Sequence, residues 1–319
     1  MNKIKRIGIL TSGGDCAGLN AVIRSVVNAA TLKGWEVYGI KFGTDGLTNR
    51  PLEYEVLTEA GFSDTPWPRL SGSYLGSLNS GVKLESMETL SQKFGEGARE
   101  LGLDALVVVG GDGSMNIVSN YCHMAGIKMV GIPKTIDNDT PITDASVGFA
   151  TACQVCTGAL DSLELTARSH NRALILEVMG RDAGHLAMHA ALAGFADVCL
   201  VPEIPYKIDS IIEKLETIKN NGRNHALIVV SEGVKREDGQ HVAGDPSPTD
   251  RILATMFGAK AVELLEEGKT NRMVVWKNSK IGDFDIDEVV REGTTLLDVV
   301  NPASREPGKT SGLFFAKKN

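Results

Sequence analysis

Short apolar runs alternate with amphipathic stretches along almost the whole chain. Apolar runs bounded by glycine or polar residues predict strands covered on both faces. They fall at Arg6–Thr11, Glu36–Lys41, Ala105–Gly110, Lys128–Ile132, Ala173–Val178, Val198–Val201, Ala226–Ser231 and Met273–Trp276. Between them, apolar residues recur at helical spacing. Leu19, Val22, Ile23, Val26, Val27 and Ala30 predict one helix, and Ile208, Ile211, Ile212, Leu215 and Ile218 another. Strand–helix alternation predicts an α/β fold with parallel sheets and right-handed crossovers. No low-complexity segment or repeat of roughly 20–50 residues interrupts the pattern.

The length, 319 residues, suggests about two domains. The first is expected to comprise residues 1–148 with a later return over about 246–300. The second is expected to take 149–245 and about 301–319. A formal charge of −7, from 33 basic and 40 acidic side chains, argues against nucleic acid as the main partner. It leaves room for small phosphorylated ligands, which need only a local cationic site. No run of about 18 apolar residues predicts a membrane span. The N-terminus runs straight into a strand-like segment without the apolar region of a signal peptide. Five cysteines, an odd count, predict no disulfide framework and a reducing, cytoplasmic compartment. Glycine, 35 of 319 residues against a usual ~7%, clusters in short loops, as where backbone approaches a ligand.

Those loops follow predicted strands, where ligands bind in open parallel sheets. Thr11-Ser12-Gly13-Gly14-Asp15 lies between a strand and a helix, so its amides can face an anion beside a helix N-terminus. The same residues also suit an ordinary strand-to-helix turn. In Gly110-Gly111-Asp112-Gly113-Ser114 a carboxylate sits among glycines. The glycines admit phosphates and Asp112 can hold a divalent ion. The alternative is an Asx-type turn capping a helix. The third loop is Pro133-Lys134-Thr135-Ile136-Asp137-Asn138-Asp139. If the backbone there stays extended, Asp137 and Asp139 point to one side. One carboxylate can then take a proton from an attacking hydroxyl while the other helps position metal. Lys134 and Thr135 add a cation and a hydroxyl for phosphoryl oxygens; a solvated acidic loop is the competing reading. Arg181, after Glu177-Val178-Met179-Gly180, offers a forked donor for phosphate, and Ser169-His170-Asn171-Arg172 a second cation.

With Ser231-Glu232-Gly233, these segments fall in the order and approximate spacing of the 6-phosphofructokinase family, which the chain resembles. The likeness runs to about residue 236 and resumes at Ser247-Pro248 and Asp250-Arg251. The resemblance implies two Rossmann-like domains, the first binding nucleotide and the second sugar phosphate. It implies phosphoryl transfer from ATP to the 1-hydroxyl of fructose 6-phosphate with Mg²⁺, in a homodimer or homotetramer with shared active sites. Carried over, Gly13, Gly14, Gly111, Asp112, Gly113 and Ser114 would hold the donor, with Asp112 on Mg²⁺. Asp137 would be the general base, aided by Thr135, Lys134 and Arg181. Thr135, Ile136, Asp137, Met179, Gly180, Arg181, Glu232 and His241 would contact the acceptor. Arg172 would reach the sugar phosphate of a neighbouring subunit. Gly113 matches ATP-using members, whereas Lys134 resembles the pyrophosphate branch; Gly113 favours ATP.

The resemblance also breaks in places. After Glu232 about two elements are missing, so Gly244 falls where the family's phosphate-binding Arg belongs. Lys235, Arg236 and His241 are the residues available to replace it. Asn79 stands where many members have an Arg. Asn28 and Glu164 replace cations of the effector site. These departures keep open a pyrophosphate donor, another sugar or sugar phosphate, and a non-catalytic family member.

Overall fold

The computed structural model describes residues 4–63, 65–77, 85–204, 206–234, 248–277, 280–291 and 314–315. Its strands, in chain order, are β1 (Arg6–Thr11), β2 (Glu36–Ile40), β3 (Tyr54–Leu57), β4 (Ala105–Gly110), β5 (Lys128–Thr135), β6 (Val147–Gly148), β7 (Ala173–Val178), β8 (Val198–Leu200), β9 (Ala226–Ser231), β10 (Arg272–Lys277), β11 (Lys280–Asp285) and β12 (Phe314–Phe315). The helices are α1 (Leu19–Leu32), α2 (Asp45–Thr48), α3 (Ala60–Ser63), α4 (Met87–Glu100), α5 (Asp112–Ala125), α6 (Phe149–His170), α7 (His185–Ala193), α8 (Ile208–Asn220), α9 (Pro248–Glu266) and α10 (Ile286–Arg291). All eight predicted strands are present, within a few residues at their ends.

Described residues within 1–135, 140–148 and 245–293 form one compact unit; those within 136–139, 149–244 and 294–319 form a second. The first unit is built on the sheet β11-β10-β5-β4-β1-β2-β3, with β6 on the end of β5. Its centre is parallel, while β3 and β11 return antiparallel at the two edges. Every residue of β4 is buried, which is why Ala105–Gly110 carries no polar alternation. The expected α1 stripe, Leu19 through Ala30, is fully buried. α9 packs against α1, where the Ser25 hydroxyl donates to the Thr255 carbonyl. That contact ties the late part of the chain to its beginning.

The second unit holds the all-parallel sheet β12-β8-β9-β7. Its core gathers Leu160, Leu186, Ala190, Val201, Leu227 and Val229, and Ile136 packs against it. The predicted apolar face of α8 is only partly used. Ile211 and Leu215 join a small cluster with Val198, Leu200 and Ile228, while Ile208 and Ile212 stay 60% and 48% exposed. The cluster beneath α8 admits one row of its side chains, not the whole stripe. No described helix is long and apolar enough to cross a membrane.

Candidate functional site

In the first unit, the loop after β1 is fixed by hydrogen bonds at each residue from Thr11 to Gly14. Thr11 donates its hydroxyl to the Gly76 carbonyl at 2.7 Å, so Ser73, 2.7 Å away, donates to Thr11. The Ser12 amide donates to the Val109 carbonyl at 2.9 Å. Gly13, at φ +84°, takes a conformation that side chains disfavour, and its carbonyl accepts from the Ser77 hydroxyl. The Gly14 carbonyl accepts from the Lys134 ammonium. In a planar trans peptide, N–H and C=O point oppositely. The amides of Gly14 and Asp15 therefore face away from Ser77 and Lys134. A Cβ on Gly14 would meet nothing within 4 Å, so the space beside its Cα is open.

The second loop is shorter than its sequence suggested. Gly111 caps α5 in an extended conformation, and Asp112, Gly113 and Ser114 are already its first turn. The reason is visible in the hydrogen bonds: the Met115 amide donates to the Gly111 carbonyl at 2.9 Å, starting the helix there. A 14-residue helix thus aims its positive end outward from β4. Asp112 is exposed and accepts the Gly113 amide at 2.6 Å. A Cβ placed on Gly113 would meet nothing within 4 Å. One placed on Gly13 would lie 3.0 Å from the Ser114 hydroxyl and 3.6 Å from the Lys134 ammonium. The structure thus brings Gly13, Gly14, Ser114 and Lys134 together, and Gly111 adjoins the Lys134 backbone.

β5 runs through Pro133 and Lys134 to Thr135, three residues past its predicted end, because β6 pairs with it there. Lys134 is buried. The Thr135 carbonyl accepts from the Ser146 hydroxyl at 2.7 Å. A supporting network missed in the sequence holds the segment carrying Ser73 and Ser77. The Tyr74 hydroxyl donates to Glu55 at 2.6 Å, which pushes the tyrosine pKa up to about 12. Lys41 pairs with the same carboxylate at 2.7 Å.

In the second unit, Ile136–Asp139 follow the end of β5, and Asn138 is buried at φ +52°. This corrects the expectation of extended backbone. The left-handed residue between Asp137 and Asp139 breaks the two-residue alternation that was to put them on one side. Arg172 and Arg181 flank β7 at opposite ends, about 20 Å apart along a six-residue strand. Met179 packs on the core, Gly180 stands at φ +142°, and exposed Arg181 at φ +52°. One oxygen of Glu232 accepts the amides of Gly180 and Arg181, at 3.2 and 2.8 Å. Glu203, not singled out from the sequence, accepts the Gly184 amide at 2.8 Å. It gave no signal because it follows a strand without a glycine motif.

Two further titratable side chains are buried in the second unit. Cys156 lies in the core, where burial pushes its thiol up to about 11. Burial, with His189 nearby, lowers the His185 pKa to about 4. Among the described residues, no group of three His, Cys, Asp or Glu is placed to hold a metal. Asn79, Lys235, Arg236, His241 and Gly244 lie outside the described residues.

Comparison with known proteins identifies the family. Residues 6–243 match the family described as Phosphofructokinase. A Synechocystis protein named ATP-dependent 6-phosphofructokinase 1 is 41% identical over 343 aligned positions, covering 93% of this chain and 94% of that protein. That alignment is longer than the chain itself, so stretches of the relative have no counterpart here. A Nostoc protein of the same name is 41% identical, covering 95% of each. Among solved structures, phosphofructokinase from Saccharomyces cerevisiae superposes with a TM-score of 0.77 at 27% identity. It covers 90% of this chain, which spans 45% of the yeast chain. The chain belongs to the phosphofructokinase family.

Proposed function

We propose that this protein transfers a phosphoryl group from ATP to the 1-hydroxyl of fructose 6-phosphate. The observation that carries the reading is the junction of Gly13, Gly14, Ser114 and Lys134 at the N-terminus of α5, in a family whose relatives are named for this reaction. Amides of the Gly14 loop and the first turn of α5 bind the donor phosphates. The open space at Gly14 and Gly113 leaves room for them. Asp112 is an exposed carboxylate at the same helix start, which suits Mg²⁺. That ion needs only one or two carboxylates when phosphate oxygens and water complete its shell. When bound, Mg²⁺ neutralises charge on the transferring phosphates.

On the acceptor side, Asp137 takes the proton from the sugar hydroxyl and Arg181 meets phosphate. Thr135, Ile136, Met179 and Gly180 shape the acceptor pocket. Glu232 touches the sugar through the oxygen that does not hold the Arg181 turn. His241 meets the sugar phosphate. Lys134 fixes the Gly14 loop and lends positive charge to the donor phosphates. Catalysis rests on positioning and charge neutralisation, as phosphoryl transfer requires. Arg172, at the other end of β7 from Arg181, serves a neighbouring copy in a homodimer or homotetramer, and the compartment is the cytoplasm. A panel of sugar phosphates assayed with ATP and with pyrophosphate tests the reading. Robust transfer from ATP to fructose 6-phosphate supports it, and the absence of any transfer refutes it.

A further inference from the structure

The turn that carries Arg181 is gripped from two sides. It leaves β7 at Met179 and closes on itself through the Ala183 amide, which donates to the Gly180 carbonyl at 2.8 Å. Inside it, Arg181 holds a left-handed backbone. A long side chain pays for that conformation, and it persists only where neighbours over-determine it. Glu232, just past β9, accepts the amides at the start of the turn. Glu203, just past β8, accepts the Gly184 amide at its end. β8 and β9 are parallel neighbours, so the two carboxylates follow adjacent strand ends.

The turn also lies directly on those strand ends. A Cβ on Gly233 would overlap the Arg181 carbonyl, and one on Gly184 would sit 2.5 Å from Val201. The second oxygen of Glu203 is buried, with no hydrogen-bond partner among the described residues. Its first oxygen holds the Gly184 amide, which gives Glu203 a local role in the turn. Part of it is electrostatic, because Gly184 is the N-cap of α7 and a helix start favours negative charge.

We propose that Glu203 is a positioning residue for Arg181, closing with Glu232 a two-carboxylate clamp that sets the arginine towards the acceptor's phosphate. The role of Arg181 rests on the function proposed above; the clamp itself does not. Without Glu203 the far end of the turn opens, and Arg181 relaxes out of its left-handed state.

The full-length protein and its Glu203→Ala, Glu203→Gln, Arg181→Ala and Glu203→Ala/Arg181→Ala variants are compared. Amide hydrogen exchange reads the clamp directly: Glu203→Ala is expected to speed exchange at Arg181 and Gly184 by about tenfold or more, leaving α1 and β4 unchanged. In steady state, Glu203→Ala raises KM for fructose 6-phosphate by roughly tenfold, with KM for ATP within about twofold of wild type. Glu203→Gln, which retains an acceptor for Gly184, recovers most of the loss. In the Arg181→Ala background, Glu203→Ala adds less than about twofold, because both act through one group. Unchanged exchange at the turn overturns the clamp. Equal increases in both KM values, or additive effects with Arg181→Ala, overturn its service to Arg181. A wild-type protein inactive on fructose 6-phosphate refutes the proposed function, and exchange still decides the clamp.

Discussion

The ammonium of Lys134 is seated on the carbonyl of Gly14, joining the end of β5 to the glycine turn after β1. This buried lysine therefore shapes the loop as well as supplying charge near it. Lys134→Met keeps the apolar stem and removes the donor. A hydrogen bond from a charged group contributes about 1.5–3 kcal/mol, so the variant is expected to melt several degrees lower and to bind ATP roughly tenfold more weakly. Calorimetry and nucleotide titration measure the two effects. A lower melting temperature with unchanged ATP affinity would separate Lys134 from the donor site.

Gly113 offers a substitution whose structural effect is small. A Cβ there meets no atom within 4 Å, and Asp suits the first turn of a helix. Gly113→Asp is thus expected to fold with wild-type stability. A carboxylate facing donor phosphates should lower kcat/KM for ATP by about 100-fold, and for pyrophosphate much less. Equal losses for both donors would contradict the placement of Gly113 beside the nucleotide.

Gly233→Ala tests the arginine turn from beneath. Its Cβ would overlap the Arg181 carbonyl, so the turn must shift. The expected result is a roughly tenfold rise in KM for fructose 6-phosphate with little change for ATP. Steady-state kinetics with each substrate varied in turn checks it.

His185 predicts an acid limb in stability. Burial first, then His189, lower its pKa to about 4 in the folded protein, while the unfolded chain titrates near 6.5. Below about 6.5 the unfolded state binds more protons. Stability contributed by the neutral ring is present above that pH and lost as pH falls towards 4. The loss approaches about 3 kcal/mol. Denaturant unfolding at pH 7 and 4.5 should show a smaller drop for His185→Leu than for wild type.

What the sequence made legible was local and periodic. β4 and α1 were readable because their faces are uniformly covered, so pattern and environment coincide. β3 and β11 were not readable. Both are edge strands with polar or half-exposed residues, formed only because β2 and β10 offer a partner. The glycine loops were visible as composition, but the start of α5 at Asp112 depends on one backbone hydrogen bond. Asn138 hid its left-handed turn inside an acidic run. Glu203 lay beyond reach altogether, since its partner amide is 19 residues away in sequence and meets it only through the sheet.

Asp137 carries the chemistry in this account. Replacing it by Asn preserves shape and removes the proton acceptor. Turnover is expected to fall by about two to four orders of magnitude while ATP binding stays nearly intact. Stopped turnover with abolished nucleotide binding would indicate a folding defect in place of a lost base.

The proposed activity stands or falls on kcat/KM for fructose 6-phosphate in a coupled assay, with ATP and pyrophosphate as alternative donors. Asp137-dependent formation of fructose 1,6-bisphosphate is expected, with ATP the better donor. The KM for the sugar phosphate is expected to be weakened roughly tenfold by the shortened segment after Glu232. No transfer to fructose 6-phosphate, or far better use of pyrophosphate than of ATP, would contradict the proposed activity.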